Sequence, residues 1–298
     1  MKLLVTGAGG PAGSSLIRQL TDRGLPVVGV DMRPVSESTA QATYVVPPAT
    51  DPAMLVELRR IIRADGLSTL IPTVSEELPQ IAAARAAFDD TRVVVAGPGP
   101  VSIANDKLFT AWHLQARGIS VPPFGACEEF VDAAAAFEWL GGPLVVKPRV
   151  SRGGRDVIVV DRPEDIDWSQ VPSYSLVQRF APGTEYSPVV YRPEPGSAAR
   201  AIVTVLEKTG LAAGRVGNAT QVRRLPDGQE PDVARLAVAA VRALGLVGPV
   251  DLDIRRAEDG TPQVLEVNAR FGANSAAVPE LVDEMLVGAG YSGARSAS

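Results

Sequence analysis

The chain opens on an apolar run, Lys2 to Thr6, that is too short for an amphipathic helix and long enough for a buried strand. A glycine-rich stretch, Gly7 to Gly13, follows it, and Ser14 to Arg23 then reads as a helix. The same alternation recurs. Val27 to Val30 predicts a strand ending at Asp31, Asp51 to Ala64 a helix and Thr69 to Pro72 a strand. Glu76 to Phe88 predicts a further helix and Arg92 to Ala96 a further strand. Short apolar strands separated by helices predict a parallel, doubly wound α/β unit. Gly97-Pro98-Gly99-Pro100 then reads as a stiff, helix-breaking boundary.

Beyond that boundary the rhythm changes. Asp106 to Arg117 predicts a helix and Val131 to Leu140 a second, alanine-rich one. Leu144 to Lys147, Val157 to Val160 and Ser175 to Phe180 predict strands of a small mixed unit. Glu185 to Tyr191, Ala201 to Glu207, Val250 to Arg255 and Gln263 to Val267 predict further strands, with one helix, Pro231 to Leu244, between them. That order predicts an antiparallel sheet backed by helices, so the C-terminal part is α+β. The expected units are residues 1–97, 98–180 and 181–298. The Ser/Gly/Ala tail after about Gly288 reads as disordered.

Composition narrows the function. The formal net charge is -5, whereas a general nucleic-acid binder shows a basic surplus and an anionic membrane surface favours one. No window approaches ~18 uninterrupted apolar residues, so no membrane span is expected. The apolar run before the first glycine is only three residues, Leu3 to Val5, too short for a signal-peptide core. A cytoplasmic setting is the default expectation. One cysteine, Cys127, excludes an internal disulfide and a Cys-rich zinc site. The one histidine, His113, is the only imidazole that could activate it. Cys127 reads as a small buried or loop residue and His113 as a helix-face residue.

Two segments carry candidate chemistry. The first is Gly7 to Gly13 between a strand and a helix, with Asp31 ending the next strand, which matches a dinucleotide-binding fingerprint in position and spacing. An NAD(P)-dependent oxidoreductase would use it, and with Thr6 it resembles the opening of short-chain dehydrogenases. Those enzymes share a Tyr-x-x-x-Lys pair, and none of Tyr44, Tyr174, Tyr186, Tyr191 and Tyr291 has lysine four residues later. A tight strand-to-helix turn needs glycine whether or not phosphate binds.

The second segment is Val250-Asp251-Leu252-Asp253-Ile254, then Asp259-Gly260, then Glu266-Val267-Asn268-Ala269-Arg270. Asp259-Gly260 reads as a hairpin turn. Residues two apart share a strand face, so Glu266, Asn268 and Arg270 align, and Asp253 can join them across the ladder. Asp251, two residues earlier, is the alternative to Asp253. Two carboxylates and an amide oxygen beside a guanidinium suit Mg²⁺ with phosphate oxygens as its remaining ligands.

This hairpin resembles the metal-binding hairpin of the ATP-grasp superfamily, in the flavour of carbamoyl-phosphate synthetase large chains and related carboxylate–amine ligases. The resemblance covers nearly the whole chain. It implies a Rossmann-like pre-ATP-grasp unit followed by an ATP-grasp fold that binds ATP and Mg²⁺, or Mn²⁺ in its place. It makes Asp253, Glu266 and Asn268 metal ligands, and Lys107 and Lys147 phosphate contacts, Lys147 also meeting the adenine edge. Ser151, Gly153 and Gly154 resemble the lid over the phosphates. Gln178, Arg179, Phe180 and Ala181 resemble the adenine hinge, although the family often has Glu at Gln178, and Glu185 resembles the ribose contact. Arg270 and Lys147 would neutralise charge during catalysis. The implied reaction joins a small amino-acid-like carboxylate to an amine through an acylphosphate. Such folds are commonly homodimers. A non-catalytic ATP-binding module is the remaining alternative. The region Glu207 to Arg224 reads as a substrate loop carrying Arg215, Asn218, Arg223 and Arg224.

Overall fold

The computed structural model describes residues 1–151 and 153–291. Arg152 and most of the expected disordered tail lie outside the described residues. Strands β1 (Leu3–Thr6), β2 (Val27–Asp31), β3 (Ala42–Val45), β4 (Thr69–Ile71) and β5 (Arg92–Val93) pair in parallel in the order β3-β2-β1-β4-β5. β1 is buried along its whole length, as an unbroken apolar run in a parallel sheet should be. The sequence pattern does not announce β3, because it is an edge strand whose residues are mostly exposed. Helices α1 (Pro11–Asp22), α2 (Ala53–Asp65) and α3 (Leu78–Ala83) belong to this unit.

Two expectations fail here for one reason. The helix expected over Glu76 to Phe88 is a 3₁₀ turn (Ser75–Glu77), the short α3 and a second 3₁₀ turn (Arg85–Phe88). Pro79 has no N–H to give, so an α-helix can only begin around it. Likewise, the expected helix-breaking boundary is the start of helix α4 (Pro98–Asn105). Its first turn contains Pro98 and Pro100, where a missing N–H costs little.

Helix α5 (Lys107–Gln115), strand β6 (Phe124–Ala126), helix α6 (Ala133–Leu140) and strands β7 (Leu144–Pro148), β8 (Ile158–Val160) and β9 (Ser175–Arg179) follow. These four strands form an antiparallel sheet, β6-β9-β7-β8. Its core is small: Leu144, Val146, Val160 and Val177 pack on Ala136 and Leu140 of α6.

The third sheet holds β10 (Glu185–Tyr186), β11 (Val189–Arg192), β12 (Ile202–Thr204), β13 (Leu206–Leu211), β14 (Ala219–Arg224), β15 (Gly248–Arg256) and β16 (Pro262–Asn268). Helices α7 (Pro231–Ala243) and α8 (Pro279–Gly288) accompany it. The strand expected from Glu185 to Tyr191 is divided at Ser187-Pro188, and both pieces pair with β15. The strand expected from Ala201 to Glu207 is divided between β12 and β13. The expected substrate loop is a correction too: β13 and β14 form an antiparallel hairpin. Its register is irregular between Lys208 and Gly210, which hides the two-residue period. Leu3, Val5, Ile17 and Leu20 of the first unit share one hydrophobic cluster with Phe271, Leu281 and Met285, so α8 is packed against α1. No described helix is long and apolar enough to cross a membrane.

Candidate active site

All three sheets contribute to one cavity of about 850 Å³. Every residue that the sequence singles out for nucleotide, metal or charge neutralisation, from Lys107 through to Arg270, lines it. One end is walled by the glycine turn and the loops after β2 and β3; the other lies between the second and third sheets.

The β15–β16 hairpin supplies the acidic face. Its register sets Asp253 opposite Glu266 and Asp251 opposite Asn268, so four oxygen-bearing side chains share that face. Asp251 is buried and accepts from Ser187 Oγ at 3.0 Å. Burial, reinforced by Asp253, pushes its carboxyl up to about 6. Asn268 Oδ1 accepts from Arg270 Nη2 at 3.0 Å, and Arg270 Nε donates to Ser75 Oγ of the first unit at 3.2 Å. Among the described residues no three His, Cys, Asp or Glu side chains close into a ready-made metal cage. The donors are instead carboxylates and an amide on a face that opens into the cavity. That set fits a hard divalent cation that takes phosphate oxygens and waters as its other ligands.

Lysines face these carboxylates. Lys107 is the first residue of α5, and the cap places it: Asp106 accepts from Leu108 N at 2.9 Å and holds Arg149 at 2.6 Å. Lys107 Nζ reaches the Ser151 carbonyl at 2.9 Å and Glu266 at 3.4 Å. Lys147 lies near the end of β7 and donates to the Leu265 carbonyl at 3.2 Å. Its burial draws the ammonium down to about 8, against the pull of Glu266. The sequence reading missed a third lysine, Lys208. Its Nζ lies 2.6 Å from Glu185 and 2.7 Å from Asp253, with only 5% of the side chain exposed. The signal was available, since Leu206 and Lys208 share a strand face, but it required reading residues 206–211 as a strand.

β9 ends at the cavity with Gln178 buried in the centre of its sheet. The Arg179 and Phe180 amides donate to the Pro123 and Pro143 carbonyls at 2.8 Å each, so neither amide is open to a base. Proline has no N–H to return the bond, so the Arg179 and Phe180 carbonyls receive none from these two partners. The Phe180 ring is flanked by the guanidinium groups of Arg215 and Arg255, 4.5 and 4.7 Å from its centroid. Arg255 also lies 3.3 Å from Glu185.

The glycine turn at the other end is explained by packing. A Cβ on Gly13 would collide with the Gly7 carbonyl oxygen, and one on Gly7 would lie 2.7 Å from Val74. Asp31 accepts from the Gly9 amide at 3.0 Å and from the Arg33 amide at 3.2 Å. Its carboxylate therefore braces the turn where a dinucleotide-binding acid would receive a ribose. Of the arginines on the expected substrate loop, Arg223 pairs with Glu207 at 2.5 Å, Arg224 pairs with Glu280 and Arg215 with Asp161 at 2.7 Å. Asn218 alone of the four lines the cavity. Cys127 is buried in the small core and His113 faces the Ala243 carbonyl at 3.1 Å; neither lines the cavity.

Residues 104–274 match a family model described as an ATP-grasp domain. The carbamoyl phosphate synthase large chain of Pseudothermotoga lettingae is 22% identical over 262 residues, covering 84% of this chain and 23% of that one. A D-alanine–D-alanine ligase of Acidovorax ebreus is 29% identical over 195 residues, covering 59% of this chain and 57% of that one. This chain therefore spans less than two thirds of either relative. The crystal structure of an L-amino acid ligase from Bacillus licheniformis superposes with a TM-score of 0.72 at 19% identity, covering 97% of this chain and 73% of that one. At that identity the likeness concerns the fold.

Proposed function

The chain belongs to the ATP-grasp family, and from that premise we propose that it is an ATP-dependent, ADP-forming ligase that joins a small amino-acid-like carboxylate to an amine. The observation that carries the reading is the pairing of Asp253 with Glu266 and of Asp251 with Asn268 on one hairpin face, with Lys107, Lys147 and Arg270 beside it. A cluster of carboxylates and cations on a cavity wall suits a magnesium triphosphate and little else of small size.

The roles follow from position. The carbonyls of Arg179 and Phe180 and the amide of Ala181 would meet the adenine edge, and Glu185 the ribose hydroxyls. Asp253, Glu266 and Asn268 would hold Mg²⁺, which when bound neutralises charge on the transferring phosphoryl group. Lys107 with Ser151, Gly153 and Gly154 would hold the phosphates from one side and Lys147 from the other. A carboxylate oxygen of the first substrate attacks the γ-phosphorus, and the bond to the ADP oxygen breaks. The amine then attacks the acyl carbon, the C–O bond to phosphate breaks, and the nitrogen loses a proton. Lys147 and Arg270 offset the negative charge that builds on the phosphoryl oxygens. No protein nucleophile takes part, so catalysis is positioning and electrostatics.

The end of the cavity beside the glycine turn would receive the acceptor. It mixes apolar walls, Val35, Val46, Met54 and Leu58, with the carboxylates of Asp31 and Glu77. The test is ADP release from Mg-ATP with pooled amino acids and small carboxylic acids. ADP that depends on the pool, and is traced to one acid and one amine, is the expected result. Nucleotide affinity with no ADP from any pool would make the chain an ATP-binding module without turnover.

A further inference from the structure

Lys208 is left over from the roles assigned above, and its position is unusual. It bridges Glu185 and Asp253, at 2.6 and 2.7 Å. On the proposed function, these are the carboxylate that receives the ribose and the one that holds the metal. Burial alone would pull the ammonium down. Asp253 and Glu185 outweigh it and hold its proton more tightly than usual.

The surroundings show why a cation is needed there. Glu185, Asp251, Asp253 and Glu266 all line the same cavity. Like charges gathered on one wall repel one another, which disfavours the arrangement unless cations offset them. Lys107 lies beside Glu266, and Arg270 lies 3.9 Å from Asp251. Arg255 reaches Glu185 from the far side at 3.3 Å. Lys208 alone touches both Glu185 and Asp253 among the described residues. The backbone around it is also specialised. The ladder between β13 and β14 slips between Lys208 and Gly210, the kind of irregularity that re-aims a side chain beside a site. The far end of that hairpin meets the glycine loop: a Cβ on Gly154 would lie 2.9 Å from Gly217 Cα.

We propose that Lys208 is a resident counter-ion, which occupies the ground between Glu185 and Asp253 in the nucleotide-free protein and gives up Asp253 when magnesium nucleotide binds. The inference rests on the proposed nucleotide site. It makes Lys208 a positioning residue with a specific consequence: the carboxylates are unavailable to Mg²⁺ alone and become available when ATP brings its own phosphate oxygens.

The experiment compares wild type with Lys208→Met and Lys208→Arg by thermal unfolding, with Mg²⁺ alone and with Mg-ATP. Wild type should gain several degrees from Mg-ATP and almost nothing from Mg²⁺. Lys208→Met should melt lower when metal-free, since an uncompensated buried carboxylate is left behind, and should recover with Mg²⁺ alone. Its Mg²⁺ affinity by calorimetry should exceed that of wild type by roughly tenfold or more. Lys208→Arg, which keeps the charge, should behave as wild type. Equal responses of wild type and Lys208→Met to Mg²⁺ would overturn the proposal. If Lys208→Met does not fold, wild type decides: Mg²⁺ alone that raises its melting temperature as much as Mg-ATP does would overturn the proposal, and Mg-ATP stabilisation with no response to Mg²⁺ alone supports it. No response of wild type to Mg-ATP would instead remove the nucleotide site itself.

Discussion

At one end of the cavity the chain places a glycine turn against apolar walls; at the other it brings Lys107, Lys147, Lys208 and Arg270 together with four carboxylates. Both ends looked like nucleotide sites in the sequence, and the glycine turn had the more familiar spacing. The difference is what each motif does for the fold. The turn's glycines are demanded by neighbouring backbone, and Asp31 is committed to holding the turn. Nothing in the packing demands Asp253, Glu266 and Asn268 on a cavity wall, where collecting like charges costs stability. A motif that the fold already explains says little about ligands, whereas one that works against folding points to them.

Four measurements test that contrast, beginning with the largest effect. Glu266→Gln should reduce ADP-forming turnover by about a hundredfold to a thousandfold, some 3–4 kcal/mol, with circular dichroism and melting unchanged. Full activity would remove the metal assignment. Gly13→Ala, at the other end, should act through stability, losing about 3 kcal/mol by denaturant titration because the new methyl has no room. An unchanged midpoint would show that packing does not dictate the turn.

The third measurement concerns pH. Lys147 in the free protein loses its proton near pH 8. Phosphate prefers the charged amine, so above that pH binding must take up a proton. Affinity for Mg-ATP should therefore fall as pH rises through about 8, by at most about tenfold per unit. Lys147→Arg, which stays charged, should flatten the profile; the same slope in that variant would assign the titration to another group. The smallest effect is expected from Asp31→Asn, about 1 kcal/mol of stability with Mg-ATP affinity unchanged. NADH and NADPH should show no fluorescence change with either protein; quenching that Asp31→Asn abolishes would restore the dinucleotide reading.

Much of this was legible in the sequence. The α/β fold class followed from short apolar strands alternating with helices, and the β15–β16 hairpin with its shared face from residues two apart and an Asp-Gly turn. The failures have physical causes. Pro79 was read as helix interior and prolines 98 and 100 as breakers, whereas all three lie in the first turn of a helix. β3 lies at an edge, where exposure removes the hydrophobic signal. The slip after Lys208 disguised β13 as loop, and with it a cation that touches two of the site's carboxylates. Arg223 and Arg224 were candidates by charge alone, and surface partners account for both.

Pro123 and Pro143 have an outcome of their own. Facing the end of β9 from its two sides, they accept amide hydrogens and return none, which leaves the Arg179 carbonyl as an acceptor on the β6 side and the Phe180 carbonyl as one on the β7 side. A carbonyl left open in this way welcomes a purine that carries an amino group at its six position and repels one that carries an oxygen there. Two missing N–H groups thus become a filter on the fuel: ATP should bind at least about tenfold more tightly than GTP, and equal affinities would mean that the base is read elsewhere.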